Sequence, residues 1–326
     1  MKAAPIRMRS GDLRQFAAVR RITLDDGPER GVRALAFSTG GGLDFWVLSD
    51  RSLDIGPLWW RGLPLAWQAP AGFGSAGLHN AESDQGFGFN RSFSGFLVTC
   101  GLEHIRRPAD GHPLHGRLPF TPARVTAYGE DWDRDEPVLF CEGEVVQARH
   151  DGEAFRLKRR IEAAIGGSRL TLTDRVENIG TSPSPQASLY HLNLGFPALA
   201  DGTRVERNGE TLLGPLAVPD AAASRDSATT AIPDDAVAGC RVVAPSLGQA
   251  GVGIDFTWER ATLPYLQLWH DLRPGVCVLG IEPCTSARLE GGKSGRERVL
   301  APGECRIYEI QVSLCELSES VQVIES

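Results

Sequence analysis

Residues 169–176 read RLTLTDRV, and their alternation decides the fold. Leu170, Leu172 and Val176 fall on one side of an extended chain, with Asp174 among them, while Thr171, Thr173 and Arg175 face the other way. A period of two with one apolar face marks a half-buried strand of an antiparallel sheet. Residues 308–314, YEIQVSL, repeat the pattern: Tyr308, Ile310, Val312 and Leu314 alternate with Glu309, Gln311 and Ser313. Outward from these two, further strand candidates are Leu43–Leu48, Phe93–Thr99, Val138–Val146, Phe155–Ile161, Ala187–Leu192, Gly251–Phe256 and Val276–Ile281. One short helix is expected over Asp12–Ile22, and little else has a helical period.

The chain has 326 residues with 37 Gly and 21 Pro, a composition of many turns and short connections. With so many strands this predicts an all-β sandwich or barrel. It is read as one large domain over 1–326, with flexible segments at 1–10 and at the Ala-, Asp- and Ser-rich stretch 218–238.

A net charge of −7 argues against a nucleic-acid surface, which needs clustered Lys and Arg. No apolar run approaches the roughly 20 residues that span a bilayer. The basic N-terminus, MKAAPIRMRSGDLRQFAAVRR, lacks the apolar core of a signal peptide. The expectation is a cytoplasmic protein with no membrane partner. Seven cysteines, an odd number with no CxxC pair, fit small buried thiols better than disulfides or a metal cluster.

Four segments carry residues suited to chemistry. SDRSLDIG (49–56) places Arg51 after an apolar strand, where its planar fork suits a carboxylate or sugar hydroxyls, or a salt bridge to Asp50 or Asp54. The second, 95–123, holds His104, His112, His115 and Arg117. Its HxxH spacing invites a metal, but Pro113 opposes a helical pair and no third ligand accompanies it. His115 before Gly116 instead presents an imidazole where another group approaches closely, or serves as a structural histidine. In SLYHLNLGFPAL (188–199), His191 and Asn193 share the face opposite Leu192 and Leu194, as a site or as structural polar groups. In LGIEPCT (279–285), Glu282 ends an apolar strand, either as a surface residue at its edge or as a buried carboxyl. Burial there would raise its pKa into the range useful for acid–base work.

These blocks resemble the aldose 1-epimerase (galactose mutarotase) superfamily, and within it the DUF4432 branch. The matching stretches are DRSLDIG, GFLVTCGLEH with LHGRLPFTPA, DRVENIGTSPSP leading to LYHLNLGFPAL, and LPYLQLWHDL with VLGIEPCT and LAPGE. They run from about residue 45 to 310. The resemblance implies a large antiparallel β-supersandwich that holds a sugar without cofactor or metal. It also implies that His191 protonates the ring oxygen, that Glu282 removes the anomeric proton and that His115 contacts the sugar. Such a pair should face one cleft across a gap the size of a sugar ring, and burial of either group in the core, or a wide separation, would count against the assignment. Arg51, Arg117, Asn193 and Trp269 are the further candidate sugar contacts, with Trp67 and Tyr265 beside Trp269 as an aromatic wall.

The galactose-specific members carry an early Asn-Arg pair and a late aspartate. Arg51 or Asn90-Arg91 could stand for the first, and the second has no counterpart, so the sugar's identity does not transfer. The partner expected is a small-molecule sugar, free monosaccharide or sugar acid, and the sequence allows a homodimer. The main alternative is a non-catalytic carbohydrate-binding or sensor protein on the same fold. Glycoside cleavage, which needs two carboxylates, ranks last because Glu282 lacks an evident partner.

Overall fold

The computed structural model describes residues 3–220, 222, 226–232 and 238–317. All strand pairs are antiparallel and form three sheets. Residues 169–176 lie in the strand Arg169–Asn178, between Ala154–Ala164 and Cys305–Glu316 in a sheet of nine strands. Leu170, Leu172, Asp174 and Val176 face inward, while the threonines and Arg175 alternate outward. Asp174 is tolerated there because Arg159, inward on the neighbouring strand, grips both its carboxylate oxygens.

A five-stranded sheet holds Ala18–Thr23, Arg33–Ser38, Leu43–Leu48, Asp54–Trp60 and Leu63–Pro64. The helix expected over Asp12–Ile22 is therefore not there: a single 3-10 turn, Leu13–Gln15, precedes the strand Ala18–Thr23. An isolated eleven-residue helix is marginal, and Arg33–Ser38 offers a full ladder of partners from Thr23 back to Ala18.

The third sheet carries the site. Its order is Asp226–Ala231, Tyr265–Asp271, Val278–Cys284, Ser184–Leu194 and Arg298–Leu300, with Leu97–Leu102 also pairing along Ser184–Leu194. The stretch expected to be flexible at 218–238 thus contains an edge strand, Asp226–Ala231, paired with Tyr265–Asp271. Residues 221, 223–225 and 233–237 of that stretch lie outside the described residues, as do Met1 and Lys2. Ala3–Arg7 forms one short helix.

The expected strand Phe93–Thr99 begins late, at Leu97. Gly95, in the left-handed region at φ +114°, turns the chain there, so Phe93 belongs to a loop over the sheet instead. One apolar cluster joins side chains of all three sheets, from Leu35 and Phe45 through Leu157 and Leu172 to Leu192 and Ile281. Among the described residues, no helix is long and apolar enough to cross a membrane.

Candidate functional site

Ser184–Leu194 is a central strand, hydrogen-bonded on one side to Leu97–Leu102 and on the other to Val278–Cys284. Every residue from Gln186 to Leu194 is buried, which is why its sequence reads as apolar. The register sets Asn193 opposite Gly280, and Gly280 opposite Trp269 on the next strand. Glu282, two residues on from Gly280, lies opposite Gln267. Alternation along each strand then turns His191, Glu282, Gln267 and Trp269 toward one another.

His191 Nε2 and Glu282 Oε1 are 3.2 Å apart, with His191 4% exposed and Glu282 fully buried. Two expectations for the pair are not met: the gap of a sugar ring is absent, because the two groups touch, and both are buried rather than open to a cleft. The amide of Asn193 donates through Nδ2 to Gly95 O and His191 O, both at 3.0 Å, so its Oδ1 must accept from His191 Nδ1. That bond puts the imidazole proton on Nδ1 and leaves the Nε2 lone pair facing Glu282. Asn193, expected to contact sugar, instead spends these bonds on orienting His191.

Glu282 is held from behind. Gln267 Nε2 donates to Oε2, and Gln267 Oε1 accepts from Arg106 Nε at 3.2 Å. Arg106 is itself buried and donates to Ser286 Oγ at 3.2 Å, Ser286 O at 2.8 Å and Cys284 Sγ at 3.4 Å. Glu282 Oε1 has no hydrogen-bond partner. Burial pushes the Glu282 pKa up to about 8, against the pull of Arg106, Gln267 and Arg288. Burial likewise pushes His191 down to about 3, against its bond to Asn193. Near neutrality the pair therefore holds one proton, on the carboxyl, where it can bridge to Nε2.

Gly280 leaves space beside both groups. A Cβ there would lie 2.9 Å from Glu282 Oε1 and 2.9 Å from His191 Cε1. Over this sheet face lies the loop after Gly86. Its Phe93 ring is 4.8 Å from the His191 ring, and Trp269 closes the other side at 5.4 Å. His115 stands 6.0 Å from His191 and 4.9 Å from Phe89. Its backbone is left-handed, at φ +62°, and burial holds its pKa well below the ordinary histidine range. The close approach expected at Gly116 is there: a Cβ would meet Gly101 O at 2.5 Å and His104 O at 2.7 Å.

Other expected contacts lie elsewhere. Arg51 is buried under the covering loop, donating to Ser92 O, and supports the segment that carries Phe93 rather than the pair. Arg117 is engaged by Glu103 at 3.0 Å and Glu82 at 2.7 Å, which occupy the fork meant for a sugar. Its neighbour His112 stacks on His104 at 5.5 Å, so the HxxH pair is split between two environments. Trp67 backs Phe93 at 5.0 Å and donates to Val276 O, whereas Tyr265 packs into a separate apolar cluster.

Sequence reasoning missed Arg106, Gln267 and Gly280. In YLQLWH, Gln267 shares a strand face with Trp269, a signal that period two could have given. Arg106 in HIRRP and Gly280 had no local signal, because their roles depend on neighbouring strands and the covering loop.

A family model described as DUF4432, a domain of unknown function, matches residues 29–314. The fold is similar to that of a Klebsiella pneumoniae protein provisionally described as an aldose 1-epimerase, with TM-score 0.80, 22% identity, and 94% of this chain and 85% of that one covered. It is also similar to a galactose mutarotase-like protein from Clostridium acetobutylicum, at TM-score 0.63 and 14% identity, covering 92% and 98% of the two chains. A galactose mutarotase-like protein from Lactobacillus casei follows at TM-score 0.55 and 14% identity, covering 91% and 100%. No curated protein matches the sequence. At these identities the likeness establishes the galactose mutarotase-like fold and nothing finer.

Proposed function

The chain belongs to the DUF4432 family, and on that premise we propose that it binds a small sugar and interconverts its anomers by acid–base ring opening at His191 and Glu282. The observation that carries this reading is the contact itself: Glu282 Oε1, fully buried, lies 3.2 Å from an imidazole nitrogen whose lone pair faces it. The likeness to mutarotase-like folds supports the same reaction class.

Ring opening needs a proton delivered to the ring oxygen and one taken from the anomeric hydroxyl. Both oxygens are bonded to the same carbon, so a donor and an acceptor lying side by side can address them together, and no ring-sized gap is required. In the resting state Glu282 carries the proton and His191 Nε2 is free to accept one. Glu282 thus acts as the acid and His191 as the base in opening, the reverse of the assignment the family resemblance implied. Closure from the other face of the carbonyl returns each proton. Asn193 holds the imidazole tautomer, and Arg106 with Gln267 stabilises the transient carboxylate.

Anomer exchange measured by NMR across a sugar panel tests the proposal. Glu282→Gln and His191→Asn should each slow the catalysed rate roughly 10²–10⁴-fold. Wild-type rates equal to buffer for every sugar, with sugar binding by calorimetry intact, would instead select a non-catalytic carbohydrate-binding protein.

A further inference from the structure

Two exposed arginines meet beside the Glu282 strand with no carboxylate in ion-pair contact among the described residues. Other arginines around the site are paired: exposed Arg91 with Asp84, half-buried Arg117 with Glu82 and Glu103, exposed Arg273 with Asp271. Arg107 and Arg288 are not. Among the described residues neither guanidinium has a carboxylate within ion-pair distance, and both side chains are exposed.

They converge at Gly292. A Cβ on that residue would lie 3.1 Å from Arg107 Cδ and 3.2 Å from Arg288 Nη2, so only glycine, here at φ +76°, lets the two side chains come together. The arrangement is braced. Arg107 N donates to Gly292 O at 3.3 Å, and Arg288 forms a bridge with Ser294. Ser286 and Ser294 both donate to Glu297, which holds the loop between them. Two guanidinium groups repel unless an anion lies between them, and their planar forks suit a carboxylate or phosphate.

Chain adjacency and charge tie the patch to the proton-transfer pair. Arg107 follows Arg106, which grips Gln267 and through it Glu282, and Arg288 is near enough to Glu282 to pull its pKa down. In a chain of net charge −7, a basic patch at this place favours an anionic substrate over a neutral one.

We propose that Arg107 and Arg288 form an anion subsite that takes the carboxylate or phosphate of an acidic sugar whose anomeric carbon lies at His191 and Glu282. The proposal rests on the function inferred above.

Exchange and calorimetric binding are measured for a neutral hexose, the corresponding uronate and the hexose 6-phosphate, in wild type, Arg107→Gln/Arg288→Gln and the double lysine variant. Wild type should prefer one or both anionic sugars, and the preferred arm identifies the group. The glutamine variant should raise the KM of that sugar about 10- to 100-fold and collapse its preference over the neutral hexose. Lysines should restore part of the preference. Arg298→Gln, whose side chain pairs with Glu304 away from this patch, controls for general charge loss. Exchange on the neutral hexose with no anionic preference overturns the subsite and leaves the mutarotase reading standing. Arginine-dependent binding of an anionic sugar without exchange overturns that reading and supports the subsite. Absence of both binding and exchange overturns the two together.

Discussion

Glu282 is a carboxyl group that folding moves out of water, and its pKa records the cost. Unfolded it would titrate near 4.5, and folded it titrates at about 8. Between those values the folded state keeps a proton that the unfolded state has lost, so this group lowers stability as pH rises through the window. Glu282→Gln keeps the shape and removes the penalty. It should therefore stabilise the protein by roughly 1–3 kcal/mol at pH 8.5, a few °C in Tm, and by nearly nothing at pH 4. Thermal unfolding at the two pH values measures the difference; a Tm that falls at pH 8.5 would contradict it. His191 has the opposite sense: its pKa falls from 6.5 to about 3, so its contribution to stability is lost as pH drops through that range. The same values fix the direction of the rate profile. Catalysed exchange should hold through neutrality and decline as pH rises past about 8, when Glu282 loses the proton it must deliver. A rate that instead rises as pH passes about 8 would make Glu282 the base and restore His191 as the acid. Neither residue was decidable from its own neighbours in sequence. Each became a candidate only through the order of the motifs, and its proton state came from burial alone.

At the scale of the strand, the site depends on what is missing. Gly280 stands in the middle of Val278–Cys284 with no side chain, opposite Asn193 and Trp269. Gly280→Ala should force Glu282 and His191 apart by several tenths of an ångström and reduce exchange about 10²-fold, the usual cost of misplacing a reacting group. The backbone φ there is not in the left-handed region, so the fold should survive, which circular dichroism alongside the NMR rate would establish. Exchange at the wild-type rate would remove Gly280 from the argument. Strands were the most legible elements: Leu43–Leu48 matches to the residue, and Arg169–Asn178 and Cys305–Glu316 enclose their alternating cores. The errors were at Asp12–Ile22, where pairing outcompeted a weak helix, and at Phe93, where Gly95 turned a presumed strand residue into part of the cover. Both failures share a cause. Local pattern reports what a segment tolerates, and the partner strand or covering loop decides what it does.

Across the whole molecule, the sheets are fastened by a charge buried in the core. Arg159 of the nine-stranded sheet bonds Asp174 beside it, Asp54 Oδ1 of the five-stranded sheet at 2.9 Å, and Thr99 Oγ1 of the site sheet at 2.8 Å. Tyr190, next to His191, donates to Asp174 at 2.9 Å. Replacing Arg159 by Met leaves two buried carboxylates without their cation and should cost about 3–5 kcal/mol, seen as a lower midpoint in denaturant unfolding. A variant as stable as wild type would mean that the carboxylates simply protonate. By itself the sequence determined the class of fold, because side-chain period is a property of the backbone and survives without knowledge of neighbours. It also singled out His191 and Glu282, because their motifs occur in a recognisable order. Only the tertiary structure brought those two into contact, assigned Asn193, Gln267 and Arg106 to hold them, and withdrew Arg51 and Arg117 to supporting roles. Which strands lie side by side, and how much water they exclude, depends on contacts between distant segments, and these set both the geometry of the pair and the place of its proton.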